Sequence, residues 1–147
     1  MRKLLSLILL AALLLPSICA CRASPTAEEL MREFIDAYGA EGIVYHSGCT
    51  EGDEGYLAPE KLGVIYQYSG RFPADYAIFL NSRPDYGSEC AFFVTRDVEE
   101  RIATEQMCHE RLRLLGGGFV KRSGYIVFYS TMREGERAEQ IFEKIIK

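Results

Sequence analysis

Asp75-Tyr76-Ala77-Ile78-Phe79-Leu80 and, after a short interval, Cys90-Ala91-Phe92-Phe93-Val94 decide the fold. Both runs have strand length and are rich in aromatic and branched residues. Tyr76–Leu80 is apolar at successive positions, so both of its faces ask for cover. Between the runs lies Asn81-Ser82-Arg83-Pro84-Asp85-Tyr86-Gly87, a loop with several breakers that suits an antiparallel return. A small sheet of this kind is most economically buried by helices.

Helical patterns flank the two strands. On the C-terminal side Asp97 is placed to cap a helix over 98–115, stopped by Gly116-Gly117-Gly118. Phe119–Tyr129 then reads as a hairpin, or as a strand ending in a tight turn. Ala138, Ile141, Phe142 and Ile145, at i, i+3, i+4 and i+7, mark a closing amphipathic helix. On the N-terminal side Thr26 and Glu29 form a capping-box pattern ahead of a helix over 27–38. Leu30, Phe34 and Tyr38 give that helix a buried stripe, and Gly39 a stop. Residues 40–57 read as irregular, with Ile43-Val44-Tyr45 a candidate short strand. Pro59 opens a helical turn or two through Leu62, Ile65 and Tyr66, with Gly63 arguing against anything longer. The expected fold class is α+β: a mainly antiparallel sheet of about three to four strands covered by helices, in the order α-β-β-α-β-α. There is no internal repeat, and 27–147 reads as one domain.

The 147 residues are 48% hydrophobic and 26% charged, a globular composition, with nine Tyr and eight Phe and no Trp. The formal charge is −4, and it becomes −6 without residues 1–20, which hold two basic residues and no acidic one. An acidic domain with no basic block is a poor fit to nucleic acid, and that class of partner is set aside.

The N-terminus reads as an address. Arg2-Lys3 precedes the apolar run Leu4–Leu15, which Pro16 ends; the run is short of the about 20 residues that span a bilayer. Ile18-Cys19-Ala20-Cys21 resembles a bacterial lipobox, with Cys21 as the residue that receives the lipid. Cleavage after Ala20 or Ala23 without lipid, or an uncleaved anchor, are the other readings. The expected organisation is a signal peptide over 1–20, an anchor and tether over 21–26, and then the domain. A palmitate-bearing diacylglyceryl group on Cys21 holds a protein lastingly to a membrane. Arg22–Thr26 spans less than about 20 Å even when extended, so the domain would sit close to the extracytoplasmic face of the cell membrane.

From about Pro59 to the C-terminus the chain resembles a family of small Gram-positive lipoproteins that share a single C-terminal α+β domain of unknown function. The resemblance is carried by Asp75–Leu80, Val94-Thr95-Arg96-Asp97, Arg111-Leu112, Gly124-Tyr125-Ile126-Val127-Phe128 and the terminal amphipathic helix, together with the lipobox. It implies a membrane-tethered α+β domain in the bacterial cell envelope. It implies no activity and no catalytic residue. Residues 40–57, with their Gly- and acid-rich loop and Cys49, depart from it.

Candidate chemistry is sparse. Cys49, Cys90 and Cys108 remain after the anchor; Cys90 and Cys108 read as small buried hydrophobes, and Cys90 is the preferred partner if Cys49 forms a bridge. His46-Ser47-Gly48-Cys49 and Cys108-His109 are the His/Cys pairings. A thiol nucleophile needs a base in reach and donors for an oxyanion, and His46 is placed to face Cys49 across a turn. No metal-ligand spacing and no cofactor motif is present, and Glu51-Gly52-Asp53-Glu54 reads as solvated surface. Arg96 and Arg111 read as salt-bridge partners of acids near the sheet edge. Tyr66 and Tyr76 read as core, whereas Tyr45, Tyr56, Tyr68 and Tyr86 would suggest a binding face if they converged. The preferred expectation is a non-enzymatic binding or scaffolding domain with an envelope protein or glycan as partner. A thiol-dependent enzyme using Cys49 and His46, or a small-ligand carrier, are the alternatives.

Overall fold

A computed structural model describes residues 24–83 and 89–147. Residues 1–20, expected to be a signal peptide, Cys21, expected to carry lipid, and Tyr86 lie outside the described residues. The elements are helix α1 (Ala27–Tyr38), strand β1 (Gly42–His46), helix α2 (Pro59–Tyr66), strands β2 (Asp75–Asn81) and β3 (Glu89–Val94), helix α3 (Val98–Leu115), strands β4 (Phe119–Ser123) and β5 (Ile126–Ser130), and helix α4 (Gly135–Ile145). The sheet is antiparallel throughout, in the order β1-β2-β3-β5-β4.

The α+β class and the antiparallel sheet agree with the sequence reading; the strand count and element order do not. The described residues hold five strands and four helices, in the order α-β-α-β-β-α-β-β-α. Residues 42–46 form a true edge strand, held by its ladder to β2 (Ile43 opposite Leu80, Tyr45 opposite Ile78). Its own pattern is faint because an edge strand that is part-covered has little need of alternation. Residues 119–130 resolve into a hairpin of two strands turned by Gly124-Tyr125. Gly124 sits at φ +55°, the left-handed first position that a tight primed turn demands. The helix over 59–66 forms despite Gly63, since Pro59 pre-sets its first turn and Leu62 and Tyr66 are buried.

The sheet is buried on both faces, which explains the unbroken apolar runs of its central strands. On one face α1 (Leu30, Met31, Phe34) and α4 (Ala138, Phe142) pack on Ala77, Phe79, Cys90, Phe92 and Phe128. On the other, α2 (Leu62, Tyr66) and α3 (Met107, Cys108, Leu112) pack on Ile78, Ala91, Phe93, Val127 and Tyr129. Alternate residues of β2 and β3 thus feed two separate cores, an arrangement more usual in parallel sheets. The Phe128–Phe142 rings stack at 5.1 Å, and Phe92 lies 4.5 Å from Phe128. Among the described residues no helix is long and apolar enough to cross a membrane.

Candidate functional site

The site lies at the N-terminal end of α1, where that helix meets the far end of the β1–β2 ladder. Thr26 and Glu29 complete the capping box reciprocally: the Thr26 amide donates to Glu29 Oε2 at 2.9 Å, and the Glu29 amide to Thr26 Oγ1 at 3.2 Å. A longer-range bond then fixes where the helix begins. The Ala27 amide donates to the carboxylate of Asp75, the first residue of β2, at 3.2 Å to each oxygen. Ser47 Oγ donates to the same carboxylate at 3.4 Å, while the Ser47 and Tyr76 backbones are joined by Ser47 N–H to Tyr76 O at 3.0 Å. Burial raises the Asp75 carboxyl above its ordinary range, and the Ala27 amide works against that shift.

This fastening carries Glu28, one residue into α1, to the last residue of β1. Glu28 Oε2 lies 3.2 Å from His46 Nδ1. The contact is electrostatic rather than an aligned hydrogen bond, since Nδ1 is enclosed without a partner along its N–H direction. The other Glu28 oxygen, Oε1, accepts from Arg32 Nη2 at 2.6 Å, one turn along the helix. On the far side of the imidazole, His46 Nε2 lies 3.1 Å from Cys49 Sγ. The turn that joins them is closed by the Cys49 amide donating to His46 O at 3.1 Å. The loop returns to the strand edge, where the His46 amide donates to Gly55 O at 3.2 Å. Gly55 must be glycine: a Cβ there would stand 2.7 Å from Val44 O and 2.9 Å from Cys49 Sγ.

The resulting order is carboxylate, imidazole, thiol. Glu28 and Cys49 occupy opposite nitrogens of His46, so the three form a relay rather than a chelate. With the ring proton on Nδ1, the nitrogen nearer Glu28, Nε2 is free to take the thiol proton. Glu28, Arg32, Ile35, Asp36, Val44, His46, Cys49 and Gly55 line a concavity of about 380 Å³, so the irregular stretch 40–57 borders a hollow instead of packing flat. The two amides nearest the sulfur are both engaged: that of Cys49 with His46, and that of Thr50 with Asp53 Oδ2 at 2.7 Å. The Thr50 amide and hydroxyl hold the Asp53 carboxyl below its usual range.

The remaining sequence candidates do not join this site. Cys49, Cys90 and Cys108 are free thiols, and no Cys49–Cys90 bridge forms. Cys90 lies wholly inside the α1/α4 core with its sulfur 3.9 Å from Met31 Sδ, and Cys108 is buried on the opposite face of the sheet. Burial pushes both thiols well above their ordinary range. His109 faces solvent while Cys108 faces inward, so that pair does not converge. Among the described residues no group of three His, Cys, Asp or Glu side chains is gathered as for a metal ion. Tyr66 is core, as expected; Tyr76 is half-buried; Tyr45 and Tyr68 pack against the α2/α3 core and make no exposed aromatic face.

Arg96 forms an exposed pair with Glu100, whereas Arg111 belongs to a second polar cluster. Arg111 grips Glu89 through two parallel bonds of 2.7 Å and donates to Ile65 O at 2.9 Å. Tyr129 donates to Glu89 Oε1 at 2.6 Å, and its hydroxyl lies 2.8 Å from that of Tyr66. Glu89 and Arg111 also border a mainly apolar hollow of about 280 Å³, walled otherwise by Tyr45, Leu57, Ile65, Ile78 and Leu80.

The sequence reading missed Glu28, Arg32 and Glu89. Glu28 looked like an ordinary acidic residue of a first helical turn. The one signal for Arg32 and Asp36 was the i, i+4, i+8 spacing of Glu28, Arg32 and Asp36, which puts them on one side of α1. No known protein family, curated protein or solved structure matches the chain.

Proposed function

We propose that this chain is an extracytoplasmic lipoprotein domain, anchored through Cys21, whose working group is the Cys49 thiol. One observation carries the reading of the site: a carboxylate, an imidazole and a thiol stand in line at 3.2 Å and 3.1 Å on the wall of an open concavity. An imidazole in that position takes a proton as the sulfur attacks, and the carboxylate favours the imidazolium that forms. The reaction class is narrowed by what the loop does with its amides. The N–H groups of Cys49 and Thr50 are spent on local bonds, so neither is free to hold an oxyanion. That favours displacement at a sulfur or a saturated carbon, where no oxyanion forms, over acyl transfer.

The same engaged amides favour a second reading, a non-enzymatic binding domain that uses the concavity for contact with an envelope partner. Alkylation of Cys49 by iodoacetamide at neutral pH separates the two. On the thiol reading, His46→Gln slows the reaction roughly tenfold or more while the chain stays folded; an unchanged rate leaves only the binding reading. The anchor is tested separately. Radiolabelled fatty acid appears on the wild-type chain and is lost in Cys21→Ser, with processing blocked by globomycin; a chain processed normally as Cys21→Ser would remove the anchor.

A further inference from the structure

Resting on the thiol reading above, we propose that Cys49 exchanges with a small zwitterionic disulfide, of the cystine kind, and keeps one half of it as a mixed disulfide. Three features of the concavity point to this class. The first is charge. Both oxygens of Glu28 are engaged, one by Arg32 and one facing His46. The groups left to a visitor are therefore the Arg32 guanidinium, 70% exposed and using Nη2 for Glu28, and the exposed carboxylate of Asp36. They stand one helical turn apart, with about 5–6 Å between their Cβ atoms. A cation and an anion at that spacing suit the carboxylate and ammonium that an amino acid carries on a single carbon. The second is the wall between them and the thiol: Ile35 and Val44 offer apolar surface to a methylene and a sulfur. The third is size, since about 380 Å³ admits a small disulfide and leaves little room for a folded partner.

The exchange balances without an added oxidant. His46 Nε2 takes the Cys49 proton as Sγ attacks one sulfur of the disulfide. A new S–S bond forms to that sulfur, the original S–S bond breaks, and the departing thiolate recovers the proton from His46. Cys49 is oxidised to the disulfide level and the departing half is reduced to a thiol. The product persists because no described thiol can resolve it: Cys90 and Cys108 are each enclosed in a core. An external thiol is needed to restore the starting state.

The test uses the full-length chain in detergent with cystine or the neutral 2-hydroxyethyl disulfide at equal concentration, read by intact mass and peptide mapping. With each rate divided by that of a free thiol, so that leaving-group reactivity cancels, cystine is expected to modify Cys49 faster than the neutral disulfide by about threefold, the scale of one exposed ion pair. Asp36→Asn, which touches neither Glu28 nor His46, is expected to erase that preference by lowering the normalised cystine rate to that of the neutral disulfide. Equal normalised rates for the two disulfides, or adducts on Cys90 or Cys108 instead, would overturn the exchange proposal while a His46-dependent alkylation rate still supported an activated thiol. An alkylation rate independent of His46 would sink both.

Discussion

Two polar clusters of similar make-up sit on opposite faces of one sheet and have opposite characters. On the α2/α3 face Glu89, only 3% exposed, receives two bonds from Arg111 and one from Tyr129, while Arg111 also satisfies a main-chain carbonyl. That cluster is closed on itself: the carboxylate accepts three bonds, and the Tyr129 hydroxyl donates to it while accepting from that of Tyr66. On the α1 face Glu28, His46 and Cys49 leave Nδ1 enclosed without an aligned partner and the sulfur at the wall of a hollow. A saturated group has no valence left for a visitor, so the first cluster is read as structure. Both border a hollow, and the second alone of the two keeps bonding capacity toward its own.

The largest expected effect comes from breaking the closed cluster. Arg111→Ala leaves Glu89 charged and unpaired in a dry site, and a loss of about 3–5 kcal/mol in urea unfolding is expected. Arg111→Met combined with Glu89→Leu should recover much of that loss, because the apolar pair no longer has a charge to solvate. If the single substitution costs no more than an ordinary surface change, the closed reading of the cluster is wrong. The open cluster should respond differently: Glu28→Gln is expected to leave stability nearly unchanged and to lower the alkylation rate of Cys49.

A smaller effect sharpens the comparison through Asp75. Its carboxyl titrates above the ordinary value in the fold because it is part-buried. The folded state therefore holds this proton more tightly than the unfolded chain does. The stability that linkage contributes is complete below the unfolded value, near 3.8, and is lost as pH rises through the folded value. Relative to Asp75→Asn, wild type should gain stability as the solution is acidified across that window. Paired denaturation curves at neutral and mildly acidic pH measure it; a gap that stays flat or widens the other way contradicts the burial.

What could be read from the chain divides along the same line, between local and distant causes. The capping box at Thr26 and Glu29, the span of α1, the Asp97 cap and length of α3, and the two-faced apolar runs of β2 and β3 are all written in neighbouring residues. The His46–Cys49 proximity was legible too, because three residues of turn produce it. Strand β1 was faint, since its place depends on pairing with β2 some 35 positions on. Glu28 was invisible as a functional residue for a similar reason. Its approach to His46 follows from the bond between Ala27 and Asp75, 48 positions apart, and no local pattern reports such a bond. Glu89 is paired in the same way, by Arg111 from α3, 22 positions on, and no local pattern reports that bond.

That distant fastening also sets the moment at which the three groups come into line. A ribosome that has delivered residues 24–70 has made the cysteine, the histidine and the glutamate, yet has not supplied the aspartate that pins the helix beside them. Throughout synthesis of that stretch the histidine beside the cysteine would lack the carboxylate that backs it. The carboxylate that stands behind the thiol's proton acceptor would arrive only once the sheet had closed.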